Sequence, residues 1–225
     1  MDFMKTVAFV PIKLNNERLP NKNTLPLGDK PLCTHLLETL VKVKQLDEIY
    51  VFCSQPKIQE YLPDGVKFLQ REPELDEFTA HHYDIVGSFI NKIDADIYVN
   101  AHVTNPFLKA ETIESGITAI KSNGYDSLCV LTEIRGHLWK DEKPFNFTFK
   151  GLPRTQDLTP LYSEVGLFMY KKEVFINTGT KYGDNIFFIH IDKIESHDIN
   201  YHDDYLLAQA IYASLADQSE CSRGE

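Results

Sequence analysis

The sequence predicts an α/β fold, a mostly parallel sheet flanked by helices, and three observations carry that prediction. Short β-branched and aromatic runs alternate with amphipathic stretches whose apolar residues recur at three- and four-residue spacing, the pattern of βαβ units. Hydrophobic residues make up 43% of the 225, enough to bury the core of one domain. The alternation breaks between residues 135 and 160 into aromatic and turn-forming residues, which predicts a small inserted β lobe rather than another βαβ unit.

Taken in order, Lys5 to Pro11 is a short apolar run closed by proline and reads as a buried strand. Residues 12–30 hold prolines, four asparagines and a glycine without apolar periodicity, so they form a loop. Pro31 to Lys44 is an amphipathic helix with proline suited to its first turn, and Glu48 to Cys53 is the second strand. A helix over Asp76–Ile93, a strand over Asp96–Asn100, a helix over Lys109–Asn123 and a strand over Asp126–Thr132 continue the pattern. After the insertion come strands at Val165–Tyr170 and Ile186–Ile191 and a helix from His202 to Ala216. One domain over 1–216 is expected, with a polar, disordered tail over 217–225.

The net charge of -10 speaks against nucleic acid or an anionic membrane as the main partner, because either needs a basic footprint. It leaves room for a local pocket of clustered cations. Cys33, Cys53, Cys129 and Cys221 stand far apart without a C-x-x-C pair and read as reduced structural thiols. No apolar run approaches membrane-spanning length and the first residues lack a secretory leader, so a cytoplasmic protein is expected. A G-x-S-x-G elbow, a dinucleotide fingerprint and a P-loop are all absent.

Cations gather in the loop after the first strand, where open α/β sheets bind their ligands: Lys13, Arg18, Lys22 and Lys30 fall within eighteen residues. Fixed cations beside exposed backbone N–H groups suit a triphosphate. On spacing alone, a solvated surface loop explains the same charges.

Lys13-x-x-Asn16-x-Arg18-Leu19-Pro20-x-Lys22 resembles the R-x-x-S-x-R-L-P-x-K signature of the CMP-sugar-acid synthetases, the acylneuraminate and 3-deoxy-manno-octulosonate cytidylyltransferases. Asn23 to Leu32, Ala101 to Phe107, Arg154 to Leu158, Ser163 to Tyr170 and Glu195 to Asn200 resemble further family segments in the same order. The resemblance spans nearly the whole chain and implies a Rossmann-like nucleotidyltransferase fold that transfers CMP from CTP to an acidic sugar, releasing pyrophosphate. It implies that Lys13, Arg18 and Lys22 act on the CTP phosphates, and that Asn16, Asn23 and Pro11 line the nucleotide site. His102, Thr104, Asn105 and Gln156 would face the acceptor, and Asp198 with Asn200 would hold Mg²⁺. Relatives of this kind pair as homodimers through the inserted lobe, which here carries Trp139, Phe145, Phe147 and Phe149.

Three positions depart from the pattern: Lys13 stands for arginine, His102 for glutamine, and Asn200 for a second aspartate. The acceptor is therefore open, with a phosphorylated polyol, a sugar phosphate or a phosphonate as alternatives to an acidic sugar. A non-catalytic nucleotide-binding subunit of the same fold is the competing reading. The run from His197 to Asp204 also admits a transition-metal cluster, and His81 and His82 read as helix surface.

Overall fold

A computed structural model describes residues 3–221. Its elements in chain order are β1 (Thr6–Ile12), β2 (Pro26–Leu27), β3 (Lys30–Pro31), α1 (Leu32–Lys42), β4 (Glu48–Cys53), β5 (Val66–Gln70), α2 (His82–Lys92), β6 (Ile97–Ala101) and α3 (Ala110–Ser122). Then follow β7 (Ser127–Ile134), β8 (Trp139–Lys140), β9 (Lys143–Pro144), β10 (Leu161–Lys171), α4 (Lys172–Thr178), β11 (Ile186–Ile191) and α5 (His202–Cys221).

Seven strands form one sheet in the order β11-β7-β10-β6-β1-β4-β5. Strand β10 runs antiparallel to both its neighbours, and the other pairings are parallel. The expected mostly parallel sheet is thus present, with β10 as its exception. From β1 the chain steps to β4 and β5 on one side and returns to β6 on the other, so the two central strands part at their carboxyl ends. A crevice opens where strand order reverses in this way.

Residues of β1 alternate between two cores. Ala8, Val10 and Ile12 bury against Leu36 and Leu40 of α1 and Ile113 and Ile117 of α3. Val7 and Phe9 face the other layer, where Phe9 stacks on Phe89 of α2 at 4.4 Å between ring centroids. Burying helices on both faces fixes the sheet rigidly beneath the crevice.

Two helix boundaries differ from expectation. Asp76 belongs to a short 3-10 turn, Pro73–Asp76, and α2 begins only at His82, where the Asp84 carboxylate accepts from the His81 backbone N–H at 2.9 Å. Helix α5 continues past Ala216 to Cys221, because no glycine or proline interrupts the sequence before Gly224. That part of the expected disordered tail is helical, and residues 222–225 lie outside the described ones.

In the 135–160 segment β8 and β9 form a two-residue hairpin whose turn, Asp141-Glu142, has both φ angles positive (50° and 61°), as a primed turn requires. Trp139, Phe147 and Phe149 meet ring to ring, yet Trp139, Phe145 and Phe149 are all more than half exposed. Among the described residues, no helix is long and apolar enough to cross a membrane.

Candidate functional site

A cavity of about 410 Å³ occupies the crevice between the ends of β1 and β6. One wall is the loop after β1, contributing Pro11, Lys13, Asn16, Arg18, Lys22 and Asn23; the other carries His102, Val103, Thr104, Asp198 and Asn200. Arg71, Leu75, His82 and Ile85 close one end. A second, outer cavity of about 320 Å³ shares Lys13, Asn16, Arg18 and Lys22 and reaches Phe78.

The loop is shaped by its own polar groups. Asn21 takes a left-handed conformation (φ 55°) that turns the chain into the 3-10 segment Lys22–Thr24, and Asn23 donates to the Lys13 carbonyl at 2.7 Å. The Lys22 ammonium is buried and donates to the Ile199 carbonyl at 2.7 Å, tying the loop to the segment that bears Asp198. Burial pulls the Lys22 pKa below its ordinary value, with Asp198 opposing the shift. Arg18 reaches the same segment, its guanidinium 5.4 Å from the centre of the Tyr201 ring. The side-chain oxygens of Asn16 and Asn23 are buried without a partner in the protein.

On the opposite wall, the His102 N–H donates to the Gly166 carbonyl at 2.8 Å, beside an irregularity in the β10–β7 register. A side chain at Gly166 has no space: a Cβ there would lie 2.4 Å from Asn105 Oδ1 and 2.9 Å from His102 Cβ. Burial, reinforced by the neighbouring His82, pushes the His102 imidazole down to about 4, so it is neutral at pH 7.

Two expected acceptor contacts do not line the cavity. Asn105 is fully buried, and its amide bridges β10 and the Glu195–Asn200 segment by donating to the Ser196 and His197 carbonyls and accepting from the Gly166 N–H. Gln156 sits exposed in the 3-10 turn Thr155–Asp157 of the insertion and is not among the residues lining the cavity.

Oxygen donors gather at the other edge. Asn200 donates to Asp198 Oδ2 at 2.5 Å, while the Asp204 carboxylate accepts from the Asn200 and Tyr201 N–H groups and so caps α5. Among the described residues no group of three His, Cys, Asp or Glu is placed to hold a metal, and His197 Nε2 contacts the Asp204 carbonyl instead. One carboxylate and one amide oxygen beside a cationic loop fit the chemistry of Mg²⁺, an ion that keeps several waters and takes few protein ligands.

Sequence reasoning missed Arg71 and His82. Arg71 is 2% exposed, donates to the Ile12 carbonyl at 3.0 Å and pairs with Asp76. Its position at the carboxyl end of a strand was the available signal, but β5 itself went unassigned. His82 is exposed at the first position of α2, on the helix surface as expected, and lines the cavity from there.

This crevice on this sheet is the nucleotidyltransferase arrangement, shared at the level of fold by solved structures. CMP:2-keto-3-deoxy-manno-octonic acid synthetase complexed with CTP superposes with a TM-score of 0.69 at 15% identity, covering 93% of this chain and 99% of that one. The 4-diphosphocytidyl-2C-methyl-D-erythritol synthase of Anaerococcus prevotii gives 0.65 at 12% identity, covering 92% and 95%. The chain belongs to the cytidylyltransferase family, whose model matches residues 7–215. It is 26% identical over 215 residues to the N-acylneuraminate cytidylyltransferase of Streptococcus agalactiae serotype III, covering 90% of this chain and 52% of that protein. It is 21% identical over 193 residues to the 3-deoxy-manno-octulosonate cytidylyltransferase of Escherichia coli, covering 77% and 75%. The chain thus spans about half the length of the streptococcal relatives it matches.

Proposed function

We propose that this chain transfers CMP from CTP to the hydroxyl of an acidic sugar, of the nonulosonate or 3-deoxy-octulosonate type, and releases pyrophosphate. The observation that carries this reading is the convergence of Lys13, Arg18 and Lys22 on one side of a single cavity whose other side presents His102, Thr104 and Asp198. The relatives named for sugar-acid cytidylyl transfer support the acceptor class.

In this reading the three cations hold the triphosphate and neutralise charge as pyrophosphate leaves, which is where phosphoryl-type transfer needs help most. Asn16, Asn23 and Pro11 line the nucleotide. His102 and Thr104 orient the acceptor so that its hydroxyl oxygen attacks the α-phosphorus in line, forming a P–O bond as the bond to the leaving pyrophosphate breaks. Asp198 and Asn200 would hold Mg²⁺, which when bound supplies charge neutralisation at the phosphates. Such a reaction draws on cytoplasmic CTP, where we place the protein. We also propose that a second copy covers the exposed aromatic face of the insertion, supported by Trp139, Phe145 and Phe149; a monomer by light scattering would reject this.

The test is pyrophosphate release with Mg²⁺, each of CTP, UTP, ATP and GTP, and a panel of sugar acids and phosphorylated polyols. Release confined to CTP with a sugar acid is expected. Release only with a phosphorylated polyol moves the acceptor class, and CTP binding without turnover across the panel marks a non-catalytic subunit.

A further inference from the structure

We infer that His82, fixed by Asn100, reads the nucleobase edge in this cleft and selects cytosine over uracil. The inference rests on the proposed reading of the cleft as a nucleoside triphosphate site and adds the residue that discriminates among bases.

A base needs a slot with apolar faces and hydrogen-bonding groups at its edge. The end of the cavity beside Pro11 has this composition: Leu75 and Ile85 supply apolar surface, and Arg71 and His82 supply polar atoms. Ile85 follows His82 by three residues on α2, so both side chains share one helix face. Arg71 is almost wholly buried at the same end, its guanidinium held by the Ile12 carbonyl and by Asp76.

The polarity of His82 is set from behind. Its Nε2 lies 2.7 Å from the side-chain nitrogen of Asn100, which is fully buried at the end of β6, while Asn100 Oδ1 has no partner. The reverse amide orientation would bury an unpartnered NH₂ in place of an unpartnered oxygen, the costlier choice. Asn100 therefore donates, Nε2 accepts, and a neutral ring carries its proton on Nδ1. Desolvation within the cleft lowers the His82 pKa and favours that neutral form.

A fixed Nδ1–H donor complements N3 of cytosine, which accepts. It opposes N3–H of uracil, which donates. Two donors facing one another leave both unsatisfied, a difference worth about tenfold or more in affinity.

Isothermal titration with CTP, UTP and inorganic tripolyphosphate, each with Mg²⁺, tests this on the wild type and two variants. Glutamine at position 82 keeps a polar group in reach of Asn100 but loses the atom at Nδ1; asparagine keeps an N–H near Nδ1. Wild type is expected to favour CTP over UTP by about tenfold or more. His82→Gln should bring the two within about twofold of each other with tripolyphosphate affinity unchanged, and His82→Asn should retain most of the preference. Equal affinity for CTP and UTP in the wild type, or an undiminished preference in His82→Gln, overturns the inference and leaves the nucleotide reading standing. A His82→Asn variant as indiscriminate as His82→Gln overturns Nδ1 as the reading atom. A wild type that binds none of the three ligands overturns the nucleotide reading and this inference with it.

Discussion

The two walls of the cleft are built in opposite ways. The cationic wall comes from one continuous stretch, Pro11 to Asn23, and carries Lys13, Arg18 and Lys22. The facing wall is assembled from the loop after β6, backed by Gly166 of β10, and from the segment before α5, and its His102 is held neutral. One wall is cationic and locally encoded; the other depends on distant segments meeting correctly. Substitution of an exposed cation of the first, such as Arg18, should therefore act on phosphate binding with little effect on stability. Those on the second should disturb packing and acceptor geometry together.

The largest expected effect sharpens that contrast. Arg18 is exposed, so Arg18→Ala should fold normally yet lower kcat/KM for CTP by about 10²-fold, measured by pyrophosphate release. Unchanged turnover would break the assignment of the loop to phosphate.

Acid should reveal the neutral His102. His102 is held from an ordinary value near 6.5 down to about 4, so between those values the unfolded chain binds a proton that the folded one refuses. Its contribution is complete above about pH 6.5 and is lost as pH falls toward 4, by up to about 3 kcal/mol. Urea unfolding of wild type and His102→Gln at pH 7 and pH 5 checks this: the variant should lose less stability on acidification.

Asn105→Ala should cost about 2–3 kcal/mol in the same assay, because it removes bonds to Gly166, Ser196 and His197 and leaves buried partners unsatisfied. Gln156→Ala, at an exposed site outside the cavity, should change stability by less than about 0.5 kcal/mol and leave CTP titration unaltered.

The same asymmetry explains what was legible in the sequence. Periodicity exposed the central strands and helices, since burial on both faces of the sheet imposes it directly. Lys13, Arg18 and Lys22 stood out because they crowd one loop. Asn105 and Gln156 do not line the cavity, because a sequence segment shows which residues travel together but not which way each points. Asn105 turned inward to bridge β10, and Gln156 left with the insertion. Arg71 and His82 did not stand out because each is a lone residue whose setting comes from a different strand, Ile12 of β1 for one and Asn100 of β6 for the other.

Calorimetric titration of CTP and inorganic tripolyphosphate into wild type, Arg18→Ala and His102→Gln most directly tests the claim that the walls divide phosphate from acceptor. Arg18→Ala should weaken both ligands and His102→Gln neither. Loss of tripolyphosphate affinity in His102→Gln as large as in Arg18→Ala would contradict it.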